Sequence, residues 1–299
     1  MSTTDFDDST TRARDDLLAA DTKMGAVTLQ VADLDAMTAF YRDAVNLDII
    51  AALNDRTILG RGTVPIVILE SAPGLKHAGP REAGVFHTAI LFDTEADLAG
   101  AVYGVASRYP RSFTGSADHL VSKAFYFDDP EGNGVELYWD RDRSAWSWTH
   151  GRVEMATLML DPRAFLVEHL PDDGHAVTQG PARVGHVHLS VGDVATARDF
   201  YVERLGFETT AELGGSALFV SAGGYHHHMA MNTWRSAGAR KRRPTLGLGL
   251  VRIKVPTVDD LGSLGERLDH YGVSNRDDGR IIGFEDPWAN RIEVTAESA

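Results

Sequence analysis

The sequence predicts an α+β fold built by duplication: two tandem copies, each of two βαβββ units, four units in all. Three observations predict it. Gly25-Ala26-Val27-Thr28-Leu29, followed by Asp33 and Phe40-Tyr41, returns as Gly185-His186-Val187-His188-Leu189, followed by Asp193 and Phe200-Tyr201. Val85-Phe86-His87-Thr88-Ala89-Ile90 and Leu248-Gly249-Leu250-Val251-Arg252-Ile253 open the second half of each copy. Each copy then closes on one turn and strand, Asp129-Pro130-Glu131-Gly132-Asn133-Gly134-Val135-Glu136 against Asp286-Pro287-Trp288-Ala289-Asn290-Arg291-Ile292-Glu293.

The chain opens with an acidic segment, residues 1–23, expected to be a flexible tail with a short helix over residues 12–20. The first copy spans 24–143. Val27 to Val31 read as a strand, and Asp33 is placed to cap the helix through Phe40-Tyr41. Short apolar runs at 56–59 and 64–69 follow as strands. The next unit reads as a strand from Phe86, a helix over 95–106, and strands ending at Phe125-Tyr126-Phe127 and Val135-Glu136-Leu137-Tyr138. Asp129-Pro130 closes the last hairpin, because proline fixes the turn and cannot donate to a ladder. Residues 144–181, with Trp146 and Trp148 early and Pro162, Pro171 and Pro181 later, read as a wrapped linker with one short helix and no catalytic part. The second copy, 182–299, repeats the pattern: strands at 187–191, 217–220 and 226–231, a strand from Leu248, a helix over 258–271, and strands at 281–284 and 291–295.

At 299 residues with 43% hydrophobic composition, the chain can bury two cores of ordinary size. A formal charge of -14 argues against nucleic acid and anionic membrane as partners, since both carry the same sign. The one basic run, Arg240-Lys241-Arg242-Arg243, reads as a solvated loop in preference to an anion or partner site. Cysteine is absent, which excludes thiolate metal sites, iron–sulfur clusters and disulfides, so a metal would be held by nitrogen and oxygen. No apolar run reaches membrane-span length and no basic, apolar leader opens the chain, so a cytoplasmic location is expected.

These motifs resemble the vicinal oxygen chelate superfamily, which includes glyoxalase I, bleomycin-resistance proteins and extradiol ring-cleaving dioxygenases. Within it, Gly185-His186-Val187-His188-Leu189, Ser221-Ala222-Gly223-Gly224-Tyr225-His226-His227-His228 and Asp128-Asp129-Pro130-Glu131-Gly132-Asn133-Gly134-Val135-Glu136-Leu137-Tyr138 are similar to the two-domain catechol 2,3-dioxygenases of bacilli. The resemblance covers nearly the whole chain past residue 24. It implies two tandem vicinal-oxygen-chelate domains with cupped mixed sheets, self-association, and metal ligands from the first strand of one unit and the first and last strands of the unit facing it. Carried over, those positions are His186, His87 and Glu136. The mirror positions hold Ala26, Leu250 and Glu293, so one site is complete and the other is not. A competing arrangement pairs units within the second copy and uses His186, a histidine of 226–228 and Glu293.

Two histidines and one carboxylate leave metal positions open for substrate and dioxygen, as ferrous oxygenases require. The reading is therefore Fe(II)-dependent extradiol cleavage of a catechol by O2. The runner-up is a glyoxalase-type lyase or isomerase using Zn, Ni or Mn, with His228 as a fourth ligand. A metal-free binding protein ranks below both, since it would lack the triad. A lone histidine at a strand start is usually a packed residue. His87 and His186 differ from that case because each fills the matching slot of its repeat. His188 falls on the face of His186 by strand alternation. By the same alternation His226 and His228 share a face and His227 takes the other. His188, His226 and His228 are the acid/base candidates. His119 and Tyr138 are candidates for supporting the site and orienting substrate.

Overall fold

The structure is a computed structural model and describes residues 16–170 and 180–297. After a short strand β1 (Lys23–Met24), the first unit comprises β2 (Val27–Val31), α1 (Leu34–Ala39), β3 (Asp48–Ala52), β4 (Arg56–Arg61) and β5 (Val64–Ser71). The second comprises β6 (Gly84–Phe92), α2 (Glu95–Arg108), β7 (Phe113–Asp118), β8 (Ser122–Asp128) and β9 (Gly134–Asp140). A small hairpin, β10 (Trp148–Thr149) and β11 (Arg152–Val153), and the helix α3 (Pro162–His169) connect the copies. The third unit is β12 (Ala182–Ser190), α4 (Val194–Arg198), β13 (Glu208–Leu213), β14 (Ala217–Ser221) and β15 (Met229–Asn232). The fourth is β16 (Gly247–Val255), α5 (Val258–His270), β17 (Asn275–Asp277), β18 (Ile281–Glu285) and β19 (Arg291–Ala296). None of the helices described is long and apolar enough to cross a membrane.

Repeat symmetry reaches the helix caps. Asp33 accepts from Ala36 N at 2.9 Å and Asp193 from Thr196 N at 2.7 Å, each satisfying a free amide of the first turn. Thr94 and Thr257 cap α2 and α5 in the same way. Both α1 and α4 run on into a π-helical turn, Phe40–Ala44 and Asp199–Arg204, which carries the repeated Phe-Tyr pair into the core. The Tyr41 hydroxyl donates to Asp129 (3.2 Å) and the Tyr201 hydroxyl to Asp286 (2.9 Å), so within each copy the helix of one unit is tied to the Asp-Pro turn of the other.

The sheets do not follow the copies. One runs β13-β14-β15-β12-β6-β9-β8-β7, the other β17-β18-β19-β16-β2-β5-β4-β3 with β1 paired to β16. The first strand of the second copy, β12, therefore lies antiparallel to the strand that opens the second unit of the first copy, β6. Strand alternation sends Val187 and Leu189 of β12 into a continuous apolar core that also holds Val27 and Leu29, and turns His186 and His188 to the opposite face.

Two expected segments differ. The first part of the helix expected over 12–20 lies outside the described residues, and from Asp16 the chain forms no α-helix before α1 but packs against the body of the protein. Leu18 is buried and its amide donates to the Gly206 carbonyl at 2.8 Å, while β1 adds to the edge of β16. The strand expected over 226–231 starts only at Met229. Gly223 and Gly224 adopt positive φ (60° and 67°), a turn that L side chains resist, and it breaks the period-2 pattern before the histidines. The carbonyl of His226 is taken by the Thr210 hydroxyl at 2.6 Å instead of a ladder amide.

Candidate metal centre

His87, His186 and Glu136 stand on three neighbouring strands: β6, β12 and β9. Register brings them together. His186 pairs with Ala89 across β12 and β6, and Ala89 pairs with Glu136 across β6 and β9, so imidazole and carboxylate flank a methyl group in one row. His87, two residues before Ala89, takes the same face one step along the strand. Register shifts in β12 at Val184/His186 and His188/Leu189 re-aim the side chains locally.

The ligand atoms of this triad all lie within 4.8 Å of one another, and all three side chains are buried. Glu136 Oε2 accepts from His186 Nε2 at 3.0 Å. His87 Nε2 lies 2.9 Å from the same oxygen but off hydrogen-bond geometry, which leaves a buried nitrogen without a hydrogen-bond partner. Such an orphan is uncommon in a folded protein and suits a lone pair meant for a metal. A donor set of two neutral nitrogens and one carboxylate oxygen fits a first-row divalent ion. Burial would raise the Glu136 pKa, but the adjacent His186 and His87 hold it well below the usual carboxylate range. Burial lowers His186 to about 4, opposed by Glu136, which leaves the ring neutral at ordinary pH.

His87 and Glu136 line a cavity of about 1360 Å³ formed by both copies, with His186 buried behind them. His188 lines it, its ring 4.9 Å from that of His87 and its Nε2 3.0 Å from the Asn232 amide nitrogen. His119 lines it too, held through Nδ1 by the Ala156 carbonyl (2.7 Å) and through Nε2 by the Tyr126 hydroxyl (2.7 Å). The other three candidates do not face it. His226 turns to Asp140 at 2.9 Å, His228 Nδ1 accepts from Ala222 N at 3.2 Å, and Tyr138 lies beneath His186, its hydroxyl 2.8 Å from that of Tyr225.

Two residues that sequence reasoning passed over do face the cavity. His227 packs its ring 4.0 Å from that of His186. His226 Nε2 lies 2.9 Å from Asp140, and its Nδ1 shares a hydrogen bond with His227 Nδ1 at 2.7 Å, so His227 Nε2 is the ring nitrogen left outside this chain of contacts. Burial, then His186 and His226, lowers the His227 pKa well below the ordinary value, which keeps the ring neutral. Tyr126 places its hydroxyl between His119 and Glu136, and burial followed by the Glu136 charge raises its pKa well above that of a free phenol. Its position ten residues before Glu136, on the strand hydrogen-bonded to β9, was the available signal. Residues 152–157 of the connecting segment also line the cavity, so that segment is part of its wall and not merely a connector.

The mirror positions on the other sheet hold no such cluster among the described residues. Arg252 stands where Ala89 stands in the complete site. It approaches Glu293 at 3.4 Å and donates to Thr28 at 2.9 Å, so an internal cation occupies the place of an ion.

Two cross-copy sheets of repeated βαβββ units, one carrying a buried His-His-Glu cluster whose donors could hold a metal beside a cavity, define the class of fold and site. Residues 23–137 and 183–294 match the Glyoxalase/Bleomycin resistance protein/Dioxygenase superfamily, and the chain belongs to it. It is 32% identical over 278 residues to a catechol-2,3-dioxygenase of Bacillus subtilis, covering 89% of this chain and 94% of that protein. It is 26% identical to biphenyl-2,3-diol 1,2-dioxygenase 2 of Rhodococcus globerulus over 41% of this chain and 65% of that one. Among solved structures, glyoxalase I of Zea mays aligns with a TM-score of 0.56 at 15% identity, over 92% of each chain, a likeness of fold.

Proposed function

We propose that this protein is an extradiol dioxygenase in which His87, His186 and Glu136 hold Fe(II) and catechol or a substituted catechol is opened beside its diol by O2. The observation that carries this reading is the convergence of two imidazoles and one carboxylate, with no fourth protein ligand among the described residues, beside a large cavity. The similarity to a catechol-2,3-dioxygenase over most of both chains supports it. When bound, the iron would supply joint coordination of diol and dioxygen.

The chain's own groups have distinct tasks in this scheme. Glu136 supplies one negative charge and the imidazoles none, so a divalent ion keeps net positive charge for a catecholate. His227 Nε2 accepts the proton of a substrate hydroxyl, and the imidazolium so formed is stabilised through His226 by Asp140. Tyr126 holds the Glu136 carboxylate in orientation. Phe86 and Trp234, whose rings meet at 5.3 Å, form an aromatic wall against which a phenyl ring packs. The lyase alternative loses support because His228, its fourth ligand, is hydrogen-bonded away from the triad.

Protein reconstituted anaerobically with ferrous iron and given a panel of catechols is expected to consume one O2 per ring opened, with the fission product followed by its visible absorbance. Bound iron without oxygen uptake on any catechol would sink the proposal. Activity restored by zinc or nickel on a thiohemiacetal substrate would move it to the lyase class.

A further inference from the structure

The cavity that holds the triad also holds a half-buried arginine, Arg242, which the sequence reading left in a solvated loop. Its backbone is pinned by a bond from Arg242 N to the Trp288 carbonyl at 3.0 Å. Its guanidinium donates to Asn290 Oδ1 at 3.3 Å and the Thr245 hydroxyl at 3.2 Å, both neutral acceptors at long range. Among the described residues no carboxylate lies within ion-pair distance of it. Asp286 and Glu82 act on it only from farther away; Asp286 is itself occupied by Tyr201 and Asn290, and Glu82 by the Gly79 amide. The other acids of the wall have partners of their own: Glu131 takes the amides of Ala32 and Asp33, Glu212 takes Arg198, Glu154 takes the Thr149 hydroxyl, Glu136 takes His186, and Asp128 feels the charge of Arg235. Burial costs the guanidinium hydration, yet arginine stays charged, and a desolvated cation with neutral partners is completed by an anion.

Position turns this into a specificity element. The guanidinium carbon lies 3.9 Å from where a Cβ would stand on Gly84, the first residue of β6, and Gly84 has none to obstruct the approach. The backbone of His87 lies three residues further along that strand, about 10 Å from that of Gly84 at ~3.3 Å per residue, and Arg242, Gly84 and His87 all line the cavity. A dihydroxyphenyl ring with a short acid arm spans such a distance at ~1.5 Å per bond. On a chain of formal charge -14, an anionic substrate gains nothing from long-range steering, so its negative group must be met locally.

Building on the extradiol reading, we infer that Arg242 is a specificity residue that binds the carboxylate of a ring-substituted catechol while the diol meets the triad. The preferred substrates are dihydroxyphenyl carboxylates, and the guanidinium offers the planar fork that a carboxylate accepts.

The test pairs charged substrates with uncharged isosteres: 3,4-dihydroxyphenylacetate against 4-ethylcatechol, and 3,4-dihydroxybenzoate against 4-methylcatechol. Iron-loaded wild type is expected to favour the charged member of at least one pair in kcat/KM by on the order of tenfold to a hundredfold. Arg242→Met should bring that ratio down to about one, chiefly through KM, and Arg242→Lys should restore part of it. A wild type without the preference overturns the inference, as does a ratio that Arg242→Met leaves unchanged. Calorimetric titration of metal-free protein with phenylacetate separates this from the reaction itself. Binding that weakens with salt and vanishes in Arg242→Met supports the anion site even if no catechol is opened. Absent or Arg242-independent binding refutes the site even if plain catechol is a substrate.

Discussion

Replacing Glu136 by Gln removes the only charged ligand of the triad at nearly constant volume, and metal affinity is the quantity that should respond first. In the native chain one carboxylate oxygen lies 2.9 and 3.0 Å from two imidazole nitrogens. An ion bound among them binds the folded state alone, because the three residues are far apart in sequence. With ferrous iron at a hundred times its dissociation constant, the folded state gains about 2.7 kcal/mol. Unfolding 299 residues at ~2.1 cal/mol/K each carries an entropy of about 0.6 kcal/mol/K, so that gain raises Tm by about 4 °C. Loss of supporting partners already costs metal sites ten- to a hundredfold in affinity. Loss of the carboxylate ligand should cost at least ~100-fold, leaving under ~0.5 kcal/mol and a shift below ~1 °C at the same iron concentration. Glu293→Gln, which alters the mirror carboxylate paired with Arg252, should keep the full shift. The assay is anaerobic thermal unfolding of each protein with and without iron. A full shift in Glu136→Gln, or its loss in Glu293→Gln, would refute the cross-copy metal site.

Two further outcomes follow from the same geometry. His227→Asn should lower kcat of iron-loaded protein on catechols by on the order of a hundred- to ten-thousandfold while the iron-induced Tm shift persists; His228→Asn, whose ring is turned away, should cost less than about tenfold, and an equal loss in both would reject the assignment. Asp129 is pushed up to about 6 by burial, above the ~3.9 of an unfolded chain, so folding takes up a proton between those values. Its stabilising contribution is full below pH ~3.9 and is lost as pH rises through about 6, by at most ~3 kcal/mol. Chemical denaturation from pH 4 to 7 should therefore show a flatter stability profile in Asp129→Asn than in wild type, and parallel profiles would rule this out.

What could be read from the sequence depended on whether a feature was set by local pattern or by contacts across the fold. Units, caps and closing turns were legible because Asp33 and Asp193, or Asp129 and Asp286, repeat a local requirement at fixed spacing. His87, His186 and Glu136 were legible because only their comparison with Ala26, Leu250 and Glu293 makes them stand out. Alternation separated His227 from His226 and His228, but which of the two groups faces the cavity is set by the positive-φ turn at Gly223-Gly224 and by the distant partner Asp140, not by local pattern. Tyr126 escaped notice although its counterpart in the second copy, Gly283, lies opposite Glu293 as Tyr126 lies opposite Glu136; residues 152–157 belong to the connecting segment and have no counterpart whose contrast would mark them. Arg242 looked solvated since its run is charged; its burial depends on Trp288, Asn290 and Gly84, all distant in sequence.

The pairing of β12 with β6 has an evolutionary reading. A single copy folded alone would leave the opening strands of both its units as bare edges, and two identical copies related by a twofold axis would cover those edges reciprocally. Such an ancestral homodimer would carry two equal metal sites, each borrowing from both subunits, and neither could be lost without the other. Joining the subunits in one polypeptide breaks that obligation. One site can then keep its ligands while the other exchanges its two histidines for Ala26 and Leu250 and neutralises the remaining carboxylate, Glu293, with Arg252, at no cost to the shared architecture. On this view the connecting segment is the element that allowed asymmetry. Severed there and co-expressed, the two halves should reassemble, and the metal site should exist only in the heterodimer.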